Sequence, residues 1–90
     1  MRGLLGRARL EPGSGLLLRP AFSIHTMFMR FPIDVVFLDR DLRVVDIRPS
    51  LGPWRAASVR GARAVLELAA GEAARRDLAS GDQLTLAEVE

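Results

Sequence analysis

The chain has 90 residues, of which 49% are hydrophobic and 27% charged, which predicts a single domain over residues 1–90. It contains no Cys and one His, so disulfides and thiolate metal sites are excluded and we expect neither a metal nor a cofactor. The formal charge is +2, all its Lys+Arg residues are Arg, and 6% of residues are aromatic; this near balance of charge argues against nucleic-acid binding.

The first half of the chain predicts one short helix and several strands. Residues 3–10 are basic and apolar and predict a short helix that the following Pro and Gly residues end. Residues 16–18 and 23–29 predict short extended segments. Residues 33–38, aromatic and β-branched, give the strongest strand prediction. An acidic turn follows, so we expect residues 42–47 to return as the partner strand of a hairpin.

The second half predicts one long loop, two strands and a helix. Residues 48–63 hold two Pro, two Gly and the only Trp, a composition typical of an irregular loop. Residues 64–68 alternate as a half-buried strand does, and residues 83–89 predict the last strand. Short strands with so little helix predict an α+β fold that is β-rich, with a mostly antiparallel, curled or barrel-like sheet and one or two short helices.

The predicted helix covers residues 71–78. Glu72 lies near its start, where a negative charge is favourable, and is spaced to pair with Arg76 one turn later. Gly81 follows and can adopt the positive φ that ends helices.

Charge is distributed unevenly along the sequence. The net charge is +4 over residues 1–33, −1 over 34–48, +3 over 49–63 and −4 over 64–90. This asymmetry predicts either a basic and an acidic patch or their pairing in the fold. No apolar run is long enough for a secretion signal or a membrane span, so we expect a cytoplasmic protein without membrane contact.

Asp34 is the informative residue of the strongest predicted strand. Because side chains alternate along a strand, Asp34 shares one face with Val36 and Leu38, and both faces are mostly apolar. Burying an unpaired carboxylate costs several kcal/mol, roughly, so Asp34 must have a partner or reach water. Arg30, four residues earlier, is the predicted partner, in a pair that either stabilises the sheet or presents Arg30 to a ligand.

Several segments together resemble one known family. They are Arg2 to Arg7, Gly15 to Pro20, His25-Thr26, Phe28 to Asp39, Val65 to Gly71 and Gly81-Asp82. This set resembles the bacterial and archaeal domain of unknown function 192 family. The resemblance implies a small β-rich domain with no established reaction, substrate or cofactor, and it supplies no catalytic residues. The matching positions are Met29, Arg30, Pro32, Asp34, Phe37, Leu66, Glu67, Gly71 and Asp82.

Three departures from the family pattern have consequences. The chain begins almost on the Arg-Gly-Leu-Leu run, so it is short at its N-terminus or leaves a sheet edge open, which a homodimer could cover. Leu42 stands where a Gly is common, and a positive φ there would strain Leu by about 1 kcal/mol or more. Ala21 stands where related sequences often have Cys, so a thiol role cannot apply.

The preferred functional prediction is a small non-enzymatic binding or accessory domain for a polar or anionic ligand. Its site would gather His25, Arg30 and Asp34, with Trp54 or Arg55 at the rim. A Trp beside an Arg can stack on a sugar ring or a base, although a single Trp in a small domain is more often a cap on the core.

Two alternatives remain at this point. A hydrolase-like enzyme would use His25 as general base with Asp34 fixing its tautomer, but no nucleophile-elbow motif surrounds Ser23, Thr26 or Ser58. The other alternative is a purely structural or protein-interaction module. Glu67 and Asp82 are interpreted as structural. Glu67 would pair with an Arg of the basic segments, and Asp82 would bond to nearby backbone in a turn.

Overall fold

The computed structural model describes residues 15–25 and 31–84, which form six strands and one short helix. The elements are β1 (Gly15–Leu18), β2 (Ser23–His25), β3 (Ile33–Leu38), β4 (Val44–Leu51), β5 (Ala56–Ser58), β6 (Ala64–Ala69) and α1 (Glu72–Arg75). All strand pairs are antiparallel, in a four-stranded sheet of order β1-β6-β3-β4 and a two-stranded sheet of β2 and β5. The predicted β-rich antiparallel fold is confirmed, and the described strands do not close into a barrel.

Strand β3 lies inside the larger sheet, between β6 and β4, and all six of its residues are buried. One face packs in a cluster with the two-stranded sheet, comprising Ile24, Ile33, Val35, Phe37, Ala57, Ala62 and Val65. The opposite face packs in a cluster with α1, comprising Val36, Leu38, Val44, Ala64, Leu66, Leu68 and Ala73. Covering both faces explains why this strand is apolar on both, as its sequence predicted.

Strand β4 carries an extra residue opposite Asp34. Ile33 pairs with Leu51 and Val35 pairs with Arg48, so two residues of β4, Pro49 and Ser50, lie opposite the single residue Asp34. Such a β-bulge interrupts the ladder and tolerates a Pro, which has no N–H to donate. Ser50 has a positive φ of 50°.

In the turn between β3 and β4, Leu42 has a positive φ of 66°, the backbone conformation that strains a Leu at this position. The Asp39 carboxylate holds this turn because its Oδ1 accepts hydrogen bonds from the backbone N–H groups of Asp41, at 2.8 Å, and Arg43, at 2.9 Å. Leu42 therefore occupies a left-handed position that a Gly would adopt without strain.

Two predictions in the second half are wrong in extent. Residues 48–63 are not one loop, because β4 continues to Leu51 and β5 follows. The helix has one turn rather than two, and the left-handed residue after it is Asp77, with φ 55°. Gly81 does have a positive φ, of 96°, but it lies in a later turn. The helix predicted at residues 3–10, the end of the segment predicted at 23–29 and most of the last predicted strand lie outside the described residues.

Candidate functional site

Asp34 is held by backbone N–H groups from two separate parts of the fold. Its side chain is buried, with the residue 1% exposed. Oδ1 accepts a hydrogen bond from the Ser50 N–H at 2.9 Å, and Oδ2 accepts from the N–H groups of Gly71, at 3.1 Å, and Ala73, at 2.8 Å. These bonds join β3 to the bulge in β4 and to the start of α1.

The predicted partner of Asp34 was Arg30, which lies outside the described residues. The partners that the structure shows are backbone groups 16, 37 and 39 residues away in sequence. Two sequence features lie at or near these donors: Pro49, which suggests a bulge where it falls within a strand, and Gly71, which precedes the helix. Neither feature identifies Asp34 as the acceptor.

Trp54 lies in the segment between β4 and β5 and is 71% exposed. The interpretation of this side chain as a cap on the core is therefore wrong. Its φ of 61° is in the left-handed region, which is uncommon for a bulky residue. Arg55 follows directly and is also exposed. The side chains of two consecutive residues, an indole and a guanidinium, are therefore both at the surface.

The backbone of His25 lies at the same end of the two-stranded sheet as Trp54 and Arg55. His25 is the last residue of β2 and pairs in register with Ala56, the first residue of β5. Trp54 and Arg55 immediately precede Ala56, so the strand pairing brings these two residues close to the His25 backbone. Asp34, in contrast, belongs to β3 and is engaged inside the larger sheet.

Glu67 is half-buried on β6, in register with Leu16 on one side and Val35 on the other. Burial raises the pKa of its carboxyl group. Its neighbour Val65 is fully buried, so the face they share is not an outward face. The predicted ion pair between Glu67 and an Arg is not found among residues 15–25 and 31–84.

Glu72 forms the pair that its spacing predicted. Its Oε1 lies 2.7 Å from Arg75 Nη2 and 3.3 Å from Arg76 Nε. The hydrogen bond from Arg75 lowers the pKa of Glu72, partial burial opposes this effect, and Arg76 lowers the pKa further. The predicted role of Asp82 is also confirmed, because its Oδ2 accepts a hydrogen bond from the Ala79 N–H at 2.9 Å.

Arg48, a basic residue of the segment predicted as a loop, has its side chain engaged in contacts within the fold. Its Nε donates to Asp46 Oδ2 at 2.8 Å, and its guanidinium carbon lies 5.9 Å from the centroid of the Phe37 ring. The hydrogen bond from Arg48 lowers the pKa of Asp46, against a smaller effect of burial. The guanidinium of Arg48, on the edge strand β4, thus lies near the ring of the buried Phe37 on β3.

The described part of the chain contains no group of three or more His, Cys, Asp and Glu side chains placed to hold a metal ion. None of its helices has the length and apolar character that a membrane crossing requires.

The fold and these contacts define a small β-rich α+β domain in which one buried carboxylate joins a bulged sheet to a helix start. The chain belongs to the family of domain of unknown function 192 (DUF192), described as an uncharacterised ACR, whose family model matches residues 1–86. The predicted family is thereby confirmed. Asp34, Gly71 and Asp82, three of the family-matching positions, take part in the backbone contacts described above.

The chain is similar to one curated relative and two solved structures. It is 58% identical over 33 residues to UPF0127 protein PH1112 of Pyrococcus horikoshii, a match covering 37% of this chain and 28% of that protein. A Novosphingobium aromaticivorans protein of unknown function has a TM-score of 0.73 and 28% identity, and the match covers 90% of this chain and 63% of that protein's chain. A Sinorhizobium meliloti protein named as a candidate transcription regulator has a TM-score of 0.77 and 25% identity, and the match covers 93% of this chain and 70% of that protein's chain.

Proposed function

We propose that this protein is a small non-enzymatic binding domain for a polar or anionic ligand. The carrying observation is the 71% exposure of Trp54 directly before the exposed Arg55. An indole offers a flat apolar face to a sugar or base, and a guanidinium binds phosphate or carboxylate through paired hydrogen bonds. The positive φ of Trp54 adds support, since strained backbone clusters at functional sites.

His25 and Arg30 are the other proposed ligand contacts. The register pairing of His25 with Ala56 supports a common site with Arg55. In this proposal Arg30, five residues after His25, supplies the second guanidinium.

Asp34 is assigned a positioning role in the proposed site. Its hydrogen bond to the Ser50 N–H fixes the end of β4, from which the segment carrying Trp54 starts. The same bonds favour the binding function over a hydrolase that uses His25 and Asp34. A carboxylate that accepts three backbone N–H groups is engaged in stabilising the fold. The alternative of a structural or interaction module is an outcome of the test below.

A thermal-shift screen of the wild-type protein tests the proposal. The probes are inorganic phosphate, pyrophosphate, mononucleotides, sugar phosphates and dicarboxylates. A ligand that binds the native state raises the melting temperature. We expect at least one anion to do so, and Arg55→Ala and Arg30→Ala to remove the effect.

Arg76→Ala is the matched control, because it removes one Arg from just after α1, on the opposite side of the larger sheet from β2 and β5. The shift should survive in this variant. No shift with any anion in the wild type, or an equal shift in Arg55→Ala, would contradict the proposed site and favour the interaction module.

A further inference from the structure

On the outer face of the two-stranded sheet of β2 and β5, the described side chains are small. Ile24 and Ala57 are buried against β3, so the residues alternating with them lie on the other side of the sheet. There Ala56 and Ser58 are exposed and Ser23 is partly exposed. The sheet borders an open depression of about 280 Å³.

An exposed aromatic side chain stands at each end of this sheet. Phe22 is 62% exposed, and its carbonyl accepts the Val59 N–H at 3.1 Å, which places it at the Ser58 end. Trp54 is at the Ala56 end. Because each strand has three residues, the sheet between them spans roughly 10 Å. A second open groove, of about 470 Å³, lies between Phe22 and Arg63.

The segments that form this surface carry only positive charge. Residues 15–25 and 49–63 contain no Asp or Glu, and their four Arg residues are all exposed: Arg19, Arg55, Arg60 and Arg63. The overall charge of +2 conceals this, because the acidic residues of the chain lie elsewhere in the sequence. These two segments are therefore basic, which the whole-chain charge balance does not indicate.

We propose that this face binds a single-stranded nucleic acid that spans the β2–β5 sheet. Bases stack on Phe22 and Trp54, and the exposed Arg side chains contact the phosphates between and beside them. The inference rests on the proposed anion site at Trp54 and Arg55 and extends it to Phe22 and Arg63. Because the strands between the two residues span roughly 10 Å, one base cannot stack on both rings, and a strand of more than one nucleotide is required. Two exposed rings favour bases over an acidic peptide, because every base offers a stacking face.

Fluorescence anisotropy with labelled oligothymidylates of increasing length tests this inference. We expect affinity to rise with length until both rings are engaged, and to fall as salt is raised. Phe22→Ala should weaken binding of the longer strands about tenfold, the order of one lost base stack. Arg63→Ala should lower the magnitude of the logarithmic salt slope by roughly 0.7, the value of one phosphate contact on a single strand. Arg76→Ala, behind the larger sheet, should change neither quantity.

The outcomes separate this inference from the proposed function. If a mononucleotide or pyrophosphate binds in an Arg55-dependent way but longer strands bind no more tightly and Phe22→Ala has no effect, the inference fails and the anion site stands. If no probe binds in an Arg55-dependent way, both fail. Equal affinity for a polyglutamate peptide of matched charge would also overturn the assignment to nucleic acid.

Discussion

Asp34 Oδ2 accepts the backbone N–H of Ala73 at 2.8 Å, which ties the most buried strand of the sheet to the first turn of α1. With its bonds to Ser50 and Gly71, the same carboxylate satisfies backbone donors at a bulge and at a helix start. Both are places where regular secondary structure leaves N–H groups without ladder partners.

We predict that Asp34→Asn lowers the free energy of unfolding by about 2 to 4 kcal/mol. The amide retains one acceptor oxygen and places an NH2 group against backbone donors, so buried N–H groups lose their acceptor. Urea denaturation measures the change. Asp41→Asn, at an exposed position, is the control and should stay within about 0.5 kcal/mol of the wild type. A similarly small change for Asp34→Asn would contradict this role.

Gly15→Ala should destabilise the protein by about 1 to 3 kcal/mol, the usual cost of overpacking. A Cβ there would lie 2.7 Å from Leu68 Cδ2 and 2.8 Å from the Glu67 backbone oxygen, so β1 would have to move away from β6. Gly52→Ala is the matched control, because a Cβ there meets nothing within 4 Å. Thermal unfolding of both variants compares them, and equal melting temperatures would show that β1 accommodates the methyl group.

We expect Leu42→Gly to be more stable than Leu42→Ala by about 1 kcal/mol. Both variants lose the same packing of the Leu side chain beyond Cβ, but only Gly adopts the φ of 66° without strain. At the exposed helical residue Ala74 the order should reverse, with Ala74→Gly less stable than the wild type by about 1 kcal/mol. Chemical denaturation of the three variants and the wild type measures both differences. If Leu42→Ala proved more stable than Leu42→Gly, the turn would have to adopt another conformation.

The stability of the fold should respond to pH through Glu67. Burial raises the pKa of Glu67 in the folded state above the ordinary value of 4.5. The free energy of unfolding that this shift contributes is therefore fully present below pH 4.5 and is lost as the pH rises through the folded-state pKa. Glu67→Gln should therefore raise the melting temperature at pH 7 and have little effect below about pH 4.

Glu72→Gln provides the opposite case. The pKa of Glu72 is lowered, chiefly by the hydrogen bond from Arg75, so its contribution is present above the ordinary pKa and is lost as pH falls through the folded value. This variant should be less stable than the wild type at pH 7, with the difference shrinking in acid. A pH-independent difference for either variant would show that its carboxylate does not titrate differently in the folded state.

The sequence predicted the β3–β4 hairpin because β-branched and aromatic residues dominate β3 and the β-branched residues Val44, Val45 and Ile47 follow the turn. It did not predict β5, since Ala56 and Ala57 have little intrinsic preference for strands. Pairing with β2 and the burial of Ala57 create that strand, and both depend on tertiary context. The partners of Asp34 were missed for a related reason. Arg30 was predicted as the partner because it is close in sequence, whereas the actual donors are backbone N–H groups that only the folded chain brings to Asp34.

The candidate site was predictable in part. A Trp beside an Arg in a Pro- and Gly-rich segment left open a stacking platform or a cap on the core, and the exposure of Trp54 excludes the cap. Composition alone could not show that Phe22 and Trp54 flank one small sheet, because their separation is set by the register of β2 on β5.

The most direct test of the proposed binding function uses Trp54 as its own reporter, since it is the only Trp in the chain. Its fluorescence is followed while pyrophosphate or a nucleoside triphosphate is added to the wild type, Arg55→Ala and Arg76→Ala. We predict a saturable change in emission in the wild type and Arg76→Ala that is lost in Arg55→Ala. An emission that stays constant with every anion in the wild type, or that changes equally in Arg55→Ala, would contradict a ligand site at Trp54 and Arg55.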